Sequence, residues 1–340
     1  MILILAALLW PMGLAAQGFA GLGQNSDGYA LPEPETRFSF PVDHGSHPNF
    51  RIEWWYVTAN LNGPDGTVYG IQWTLFRNAM APGGDEADQA WMGHAAVSSP
   101  EGHLYTERLA RGGIGQAGVT AVPFEAFIDE WRMAGETLNA VELTAQGADF
   151  RYDLELRADR PFVPQGDAGF SVKSAAGQAS HYYSQPFYSV TGTLKLPTGT
   201  IEVTGKAWLD REWSSQPLTA DQTGWDWVSL HFDTGEKLMG YRLRDKDGGA
   251  YTVGTWVSPE GVPQPLADGE ISMVAVEQAE VAGREVPVVW DIDIAAKDLS
   301  IRAGAVYPQS WMGTRIPYWE GPVTVSGSHE GEGYLEMSGY

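Results

Sequence analysis

The sequence predicts an all-β fold of two antiparallel β-barrel or β-sandwich units, and three observations support this prediction. Short segments of alternating apolar and polar residues are separated by turns rich in Gly, Pro, Asn and Asp, which is typical of antiparallel strands. No segment carries an apolar stripe at helical period over three turns. A hairpin pattern from the first half of the chain also occurs again in the second half.

The first hairpin is predicted at residues 51–77, where two alternating segments flank an Asn-Gly-Pro-Asp-Gly turn. A similar hairpin follows at residues 224–244, and it begins with the same kind of aromatic run. Both copies continue into a Ser-Pro-Glu-Gly turn, at residues 99–102 and 258–261. The agreement in order and in pattern predicts two related β units rather than a short-period solenoid.

We place the first predicted domain at residues 34–190 and the second at residues 191–340. A large antiparallel sheet has unpaired edges, and closing the sheet into a barrel removes them. A unit of about ten strands would enclose a cup for one apolar ligand. Apolar ligands also suit the aromatic content of the chain, which includes 14 Trp and 14 Tyr residues.

Charge and composition exclude several classes of function. Acidic residues outnumber basic ones by 43 to 21, for a net charge of −22, and such a surface repels phosphate backbones. We therefore expect no nucleic-acid partner. The chain has no Cys, which excludes thiol catalysis, thiolate metal sites and disulfides. It also has no Gly-x-Ser-x-Gly elbow, phosphate loop or dinucleotide fingerprint, so we expect no cofactor.

The first residues resemble a secretory signal peptide. An apolar run at residues 1–10 is too short to span a bilayer, and small residues follow between Ala15 and Ala20, although no Lys or Arg precedes the run. We predict a signal peptide over residues 1–20 and a secreted or periplasmic location. No other run approaches transmembrane length, so we expect no integral membrane span.

The segment at residues 206–213 is the strongest candidate for a functional site. In a strand, Trp208, Asp210 and Glu212 share one face, while the residues between them share the other. If the first face lines an enclosed cavity, desolvation and mutual repulsion should raise the pKa of one carboxyl group. The alternative is an exposed strand end whose charged groups are merely solvated.

Other candidates come from three further strands, and each has a structural alternative. Trp54 and Tyr56 lie on a face that also carries hydroxyl and amide groups, which suits a ligand-facing lumen as well as plain packing. His181 and Tyr183 share a strand face, and His181 could act as an acid or a base near neutral pH. Trp227 and His231 share a face of the strand that begins the second hairpin. Either histidine could equally be a hydrogen-bonded structural residue.

A metal site is not expected. The segment at residues 43–47 offers Asp43, His44 and His47, but the sequence has no second cluster at a recognisable spacing. Zinc sites need three or four ligands, commonly from two places in the chain. A hydrogen-bonded loop is the simpler interpretation.

Taken together, these motifs resemble those of the AttH-like proteins, which are grouped with the carotenoid 1,2-hydratases (hydroxyneurosporene synthases) and often labelled secreted hydrolases. The similar motifs are Asp-His-Gly-Ser-His at 43–47, Glu-Trp-Trp-Tyr at 53–56, Ala-Trp-Leu-Asp-Arg-Glu-Trp at 207–213, Trp-Asp-Trp at 225–227, Tyr-Trp-Glu-Gly at 318–321 and Gly-Tyr-Leu-Glu at 333–336. The resemblance extends from about residue 38 to residue 340. It implies two lipocalin-like β domains.

The resemblance also implies a chemistry. Hydratases of this group add water to an alkene without a cofactor, which requires an acid, aromatic faces and a group that positions water. By position, Asp210 corresponds to the acid, and His181, Tyr183 and Trp208 correspond to its partners. The run Asp-Arg-Glu-Trp at 210–213 follows the AttH-like branch rather than the hydratases, which affects the predicted activity more than the fold.

We therefore predict an exported binder or cofactor-independent enzyme for an elongated apolar small molecule, a terpenoid or lipid. In the leading hypothesis Asp210, His181, Tyr183 and Trp208 are catalytic, and Trp54, Tyr56, Glu212, Trp227 and His231 bind the ligand. The activity would be acid-catalysed hydration of a C=C bond. The alternatives are a non-catalytic lipocalin-like carrier and a lipid-ester hydrolase.

Overall fold

The computed structural model describes residues 26–216, 218–219 and 221–340, and within them the fold is all-β, as predicted. The expected signal peptide at residues 1–20 lies outside the described residues. The described ranges contain no α-helix, only three 3₁₀ helices at Val42–His44, Glu86–Asp88 and Ala295–Lys297. None of these helices is long and apolar enough to cross a membrane.

The described strands follow one another in chain order as β1 (Ile52–Asn62), β2 (Val68–Ala79), β3 (Gln89–Ser99), β4 (Gly102–Arg111), β5 (Ala117–Thr120), β6 (Phe124–Ile128), β7 (Trp131–Thr137), β8 (Ala140–Gln146), β9 (Arg151–Arg157), β10 (Val163–Pro164), β11 (Phe170–Val172), β12 (Ala179–Leu196), β13 (Gly199–Ser214), β14 (Gln222–Phe232), β15 (Lys237–Asp245), β16 (Ala250–Val257), β17 (Pro263–Leu266), β18 (Ser272–Val281), β19 (Arg284–Ile294), β20 (Leu299–Ala305), β21 (Trp311–Met312), β22 (Tyr318–Gly327) and β23 (Gly331–Ser338).

The strands form two curled antiparallel sheets, one a nearly closed barrel and the other a half-barrel. The first sheet has the order β4-β3-β2-β1-β13-β12-β9-β8-β7-β6-β5, with β10 and β11 paired to β12. The second has the order β17-β16-β15-β14-β23-β22-β20-β19-β18, with β21 paired to β22. The sheets therefore divide between β13 and β14. The domain boundary expected at residues 190 and 191 falls inside β12, because the whole β12–β13 hairpin belongs to the first sheet.

The two faces of β1 show how the sheets are arranged. Trp55, Val57 and Ala59 point into a large apolar core enclosed by the first sheet. The alternate residues point outward, where the second sheet covers them. Asn60, for example, donates a 2.8 Å hydrogen bond from Nδ2 to the carbonyl oxygen of Gly333 on β23. The face that carries Trp54 and Tyr56 therefore meets the second sheet. Of the two interpretations that the sequence left open, a ligand-facing lumen and plain packing, the barrel lumen does not apply, because this face lies between the two sheets.

A buried ionic cluster lies on the core side of β1 and β13. The Glu53 carboxylate accepts hydrogen bonds from both the Arg77 and the Arg211 guanidinium groups, and all three side chains are at most 1% exposed. The Arg211 guanidinium also stacks 3.8 Å from the ring centroid of Trp55. Burial alone would raise the pKa of Glu53, but the two guanidinium groups outweigh it and hold the pKa well below its ordinary value.

Replacing Glu53 should destabilise the protein severely. We expect Glu53→Gln to lower the free energy of unfolding by about 3–5 kcal/mol, because it leaves two buried guanidinium groups without an anion. Urea unfolding followed by circular dichroism measures this change. The matched control is Glu155→Gln, since Glu155 and Arg157 form an exposed pair and should contribute about 0.5 kcal/mol or less. Equal losses for the two variants would show that the cluster is not structural.

Candidate functional site

A cleft lies between the two sheets, and its walls come from both. Its volume is about 100 Å³, which suits part of a small molecule rather than the whole of an elongated one. The lining combines aromatic rings, aliphatic side chains, three carboxyl groups and one ammonium group. The residues that line it are Trp54, Tyr56, Phe76, Lys173, Tyr182, Asp210, Glu212, Leu218, Trp225, Trp227, Tyr241, Leu243 and Glu336.

Asp210 lies on β13, in the cleft wall that the first sheet forms, and it accepts three hydrogen bonds. Its Oδ1 atom accepts from the Ser184 hydroxyl at 2.5 Å and from the Trp208 indole N–H at 2.6 Å. Its Oδ2 atom accepts from the Tyr182 hydroxyl at 2.5 Å. The strand pairing explains this set, because Ser184 on β12 lies directly opposite Asp210 on β13. Since Oδ1 already accepts two hydrogen bonds and Oδ2 only one, the position for a proton is on Oδ2.

Burial controls the protonation of Asp210, which is only 3% exposed. Burial raises the pKa of the carboxyl group to about 7, although the hydrogen bonds from Ser184, Tyr182 and Trp208 act in the opposite direction. The charge of Glu212 on the same strand face raises it further. The sequence led us to expect a raised carboxyl pKa on this face only if it lined an enclosed cavity, and the carboxyl group that burial affects in this way is Asp210.

A second titrating carboxyl group, Glu336 on β23, belongs to the opposite wall. The Trp225 indole N–H donates to its Oε1 atom at 2.6 Å. Burial raises the pKa of Glu336 to about 7, against the hydrogen bond from the Trp225 indole, and the charges of Asp210 and Glu212 raise it further. Two carboxyl groups that titrate near pH 7 and repel each other share protons, so one can be protonated while the other is ionised.

Aromatic rings connect the two walls. The Tyr56 ring lies 5.3 Å from that of Trp227 at an angle of 80°, an edge-to-face contact between β1 and β14. The Trp227 indole N–H donates to the Tyr182 hydroxyl at 3.3 Å, and that hydroxyl in turn donates to Asp210. Tyr56 donates to the buried Glu320 on β22 at 2.5 Å. Contacts that join the sheets thus also position the cleft side chains.

Lys173 and Glu212 form an ion pair at the cleft wall, with 2.8 Å between Nζ and Oε1. The Ser180 hydroxyl donates to the same carboxylate oxygen. Burial alone would lower the pKa of Lys173, but the Glu212 carboxylate outweighs it and raises the pKa above its ordinary value. Lys173 is therefore charged under all ordinary conditions.

The structure does not bring His181 and Tyr183 to Asp210, so this part of the sequence prediction is wrong. Residues 181 and 183 of β12 point to the face opposite residues 182 and 184. The His181 ring packs against Phe50 and Trp213, with centroid distances of 5.7 and 5.5 Å. The Tyr183 hydroxyl bonds to Nδ1 of His44 at 2.7 Å. Burial lowers the pKa of His181 to about 4, so this histidine is neutral at pH 7.

The remaining predicted residues divide into two groups. Trp54, Tyr56, Glu212 and Trp227 line the cleft. Trp208 and His231 face the same interface but are not among the lining residues. Trp208 is fully buried and positions Asp210, and its ring lies 5.8 Å from that of His231. Burial lowers the pKa of His231 well below its ordinary value, and its Nδ1 atom has no hydrogen-bond partner in the described part of the chain.

Sequence reasoning missed Tyr182, Ser184, Lys173 and Glu336. Tyr182 and Ser184 alternate along β12 with the predicted pair 181 and 183, and strand alternation alone does not show which of the two pairs faces Asp210. Glu336 belongs to a motif noted in the sequence, Gly-Tyr-Leu-Glu at 333–336, but its partner strand could not be inferred.

Within the described ranges, no three His, Asp or Glu side chains are grouped to hold a metal ion. His47 bonds instead to Asp43 and Glu53.

Comparison with known proteins places the chain among relatives of the same fold. The profile of the AttH-like family matches residues 31–340. A structure named as a candidate AttH from Nitrosomonas europaea is 32% identical, with a TM-score of 0.83, and the match covers 92% of this chain and 99% of that one. No curated protein matches the chain significantly.

Two further structures share the fold at low identity. Kievitone hydratase from Nectria haematococca has a TM-score of 0.67 and 14% identity, over 92% of this chain and 98% of that one. CghA has a TM-score of 0.53 and 14% identity, over 92% and 96% of the two chains.

The raised pKa of Asp210 predicts a pH-dependent stability difference. Because the pKa rises from 3.8 to about 7 on folding, the contribution of this group is full below about pH 4 and is lost as the pH rises through about 7. Asp210→Asn keeps the shape of the protonated acid but does not titrate. We expect it to be more stable than the wild type at about pH 8, by at most about 4 kcal/mol, and to lose this advantage near pH 4. Thermal unfolding at several pH values measures the difference. A constant difference at every pH would contradict the prediction.

Proposed function

This chain belongs to the AttH-like family, and from that premise we propose that it is a cofactor-independent, hydratase-like enzyme. Its cleft would bind one end of an elongated apolar molecule, a terpenoid or a lipid, and add water across a carbon–carbon double bond. The observation that carries this proposal is the buried Asp210 carboxyl, whose pKa near 7 makes it a proton donor at neutral pH inside an aromatic cleft.

Protonation of an alkene carbon is the first step. The proton on Oδ2 of Asp210 passes to one carbon of the double bond, and the positive charge develops on the other. Ser184 and Trp208 hold Oδ1, so the carboxyl group cannot rotate away from the ligand. The faces of Trp54, Tyr56, Trp225 and Trp227 would stabilise the cation, since the electron-rich face of an aromatic ring attracts positive charge.

Addition of water is the second step, and we assign to Glu336 the role that the family resemblance implied for His181. An ionised Glu336 would accept one proton from the attacking water, whose oxygen bonds to the cationic carbon. The sum of the two steps is addition of one water molecule: Asp210 has lost a proton and Glu336 has gained one. Both carboxyl groups recover by exchange with solvent after the product leaves.

The size of the cleft supports an elongated ligand of which only one part is enclosed. A volume of about 100 Å³ accommodates a double bond and its substituents, and the rest of the molecule would extend beyond it. The fold shared with kievitone hydratase is compatible with this proposal, but at 14% identity it supports the fold alone.

We also propose, from residues 1–20 of the sequence, that the protein is secreted or periplasmic.

Two alternatives remain, a non-catalytic carrier and a lipid-ester hydrolase. One observation bears on the second: Oγ of Ser98 lies 2.9 Å from Nδ1 of His103. However, Nε2 of His103 contacts the sulfur of Met312 rather than a carboxylate, and Ser98 is fully buried. This pair therefore lacks the orienting acid and the access that a serine nucleophile needs. A carrier would use the same cleft without turnover.

Asp210→Asn should separate an enzyme from a carrier. We expect the variant to retain ligand affinity within a factor of about three and to lose at least about 100-fold in turnover, because its amide cannot donate the catalytic proton. Turnover is measured as incorporation of isotopically labelled water oxygen into acyclic isoprenoid alkenes, detected by mass spectrometry. His181→Asn is the control and should keep turnover, since His181 lies on the other face of β12. Unchanged turnover in Asp210→Asn would refute the proposed mechanism.

The identity of the natural ligand can be approached directly. Mass spectrometry of organic extracts from the purified protein should detect a terpenoid or lipid. Leu243→Trp places a larger side chain in the cleft, and an extract of this variant should lack the ligand. Ester hydrolysis that survives in Asp210→Asn would instead favour the hydrolase alternative.

A further inference from the structure

Lys173 is the only cationic side chain among the described residues that line the cleft. It follows β11 directly and precedes β12, and its side chain is 8% exposed. A lysine rarely occupies such a position without a specific purpose, because burying an ammonium group is costly. The mechanism proposed above does not use it.

The contacts of Lys173 hold its ammonium group in a fixed position. The Nζ atom lies 2.8 Å from the Glu212 carboxylate and 4.3 and 4.9 Å from the ring centroids of Tyr241 and Tyr182. Tyr241 is itself held, since its hydroxyl donates to the carbonyl oxygen of Val172 at 2.7 Å. An ammonium group has three N–H donors, and Glu212 and Tyr241 are its hydrogen-bond partners in the part of the chain described. The third donor has the Tyr182 ring face nearby but neither of these two oxygen partners, so it is available to an oxygen in the cleft that Lys173 lines.

The charges in the cleft decide what that group can be. The charges of Lys173 and Glu212 cancel, and burial keeps Asp210 and Glu336 largely protonated below about pH 7. The ligand-free cleft is therefore close to neutral. A ligand carboxylate would introduce an uncompensated buried anion, which is costly. A hydrocarbon would leave the remaining N–H donor of Lys173 without a partner, which is also unfavourable.

We propose that Lys173 donates a hydrogen bond to an uncharged oxygen of the ligand, so that the cleft selects a terpenoid or lipid with a hydroxyl or carbonyl group. This inference rests on the proposed cleft function and narrows its substrate class. Such a ligand keeps the charge balance and satisfies the third donor of the ammonium group. It also fixes the position of the apolar chain relative to Asp210.

Three probes with the same isoprenoid chain test the selection: farnesol, farnesoate and farnesene. Binding is measured by quenching of tryptophan fluorescence at about pH 6.5, where an ordinary carboxylic acid is ionised. We expect the wild type to bind farnesol at least about tenfold more tightly than either of the other two probes, because a hydrogen bond to a charged donor is worth at least this factor.

Two variants should change this ranking in opposite ways. Lys173→Met removes the donor, and we expect farnesol affinity to fall about tenfold, to that of farnesene, while farnesene affinity stays the same. Glu212→Gln leaves Lys173 without its anion, so farnesoate should become the preferred ligand by about tenfold. The control is Lys237→Met, since Lys237 is buried to a similar extent but lies outside the cleft lining, and the ranking should not change.

The outcomes separate the inference from the function on which it rests. Equal affinity of the wild type for farnesol and farnesene, or a preference for farnesoate, overturns the role of Lys173 but leaves an apolar cleft. Equal weakening of all three probes in Lys173→Met shows that the residue is structural. No binding of any probe to the wild type contradicts the proposed cleft function and the inference with it. If Lys173→Met does not fold, the wild-type ranking and the Glu212→Gln reversal decide the question.

Discussion

The position of cations on the two faces of β13 is the constraint on which the rest of this structure depends. On the core side, Arg211 meets the Glu53 carboxylate, and Arg77 supports the same pair. On the other side, Asp210 is buried with three hydrogen-bond donors but with no guanidinium or ammonium partner in the described residues. The Glu53 carboxyl group is therefore held ionised, whereas the pKa of Asp210 is raised to about 7. The two faces of β13, which carry the neighbouring residues Asp210 and Arg211, thus have opposite electrostatic environments.

That difference exists only because the second sheet covers the outer face of the first. An outer sheet face that met water would let Asp210 ionise at its ordinary pKa. Contacts such as those of Asn60 with Gly333 and of Trp227 with Tyr182 bring the sheets together and shield the cleft side chains from bulk solvent. The raised pKa of Asp210 in the cleft consequently depends on the association of the two sheets. The large core inside the first sheet supports this arrangement but does not take part in it.

The candidate residues on β12 and β13 show what strand alternation does and does not predict. Strand alternation correctly grouped Trp208, Asp210 and Glu212, because a side-chain period of two holds in any strand. The same argument grouped His181 with Tyr183 correctly. The family resemblance placed this pair beside Asp210, but the structure places it on the opposite face of β12. Parity states which residues share a face, but not which face meets which neighbour. A shift of one residue in the register between β12 and β13 would have exchanged Tyr182 for Tyr183 beside Asp210.

The sequence by itself determined the all-β class, its two antiparallel β units and the sets of residues that share a strand face, since these follow from local alternation and turn chemistry. It also determined the family, through short motifs whose residues the structure places at the ionic cluster and at the cleft. Only the tertiary structure decided that the cleft lies between the sheets, that Glu336 and Lys173 join it, and that the sheets divide after β13. Each of these depends on contacts between residues distant in the chain, which local patterns do not encode.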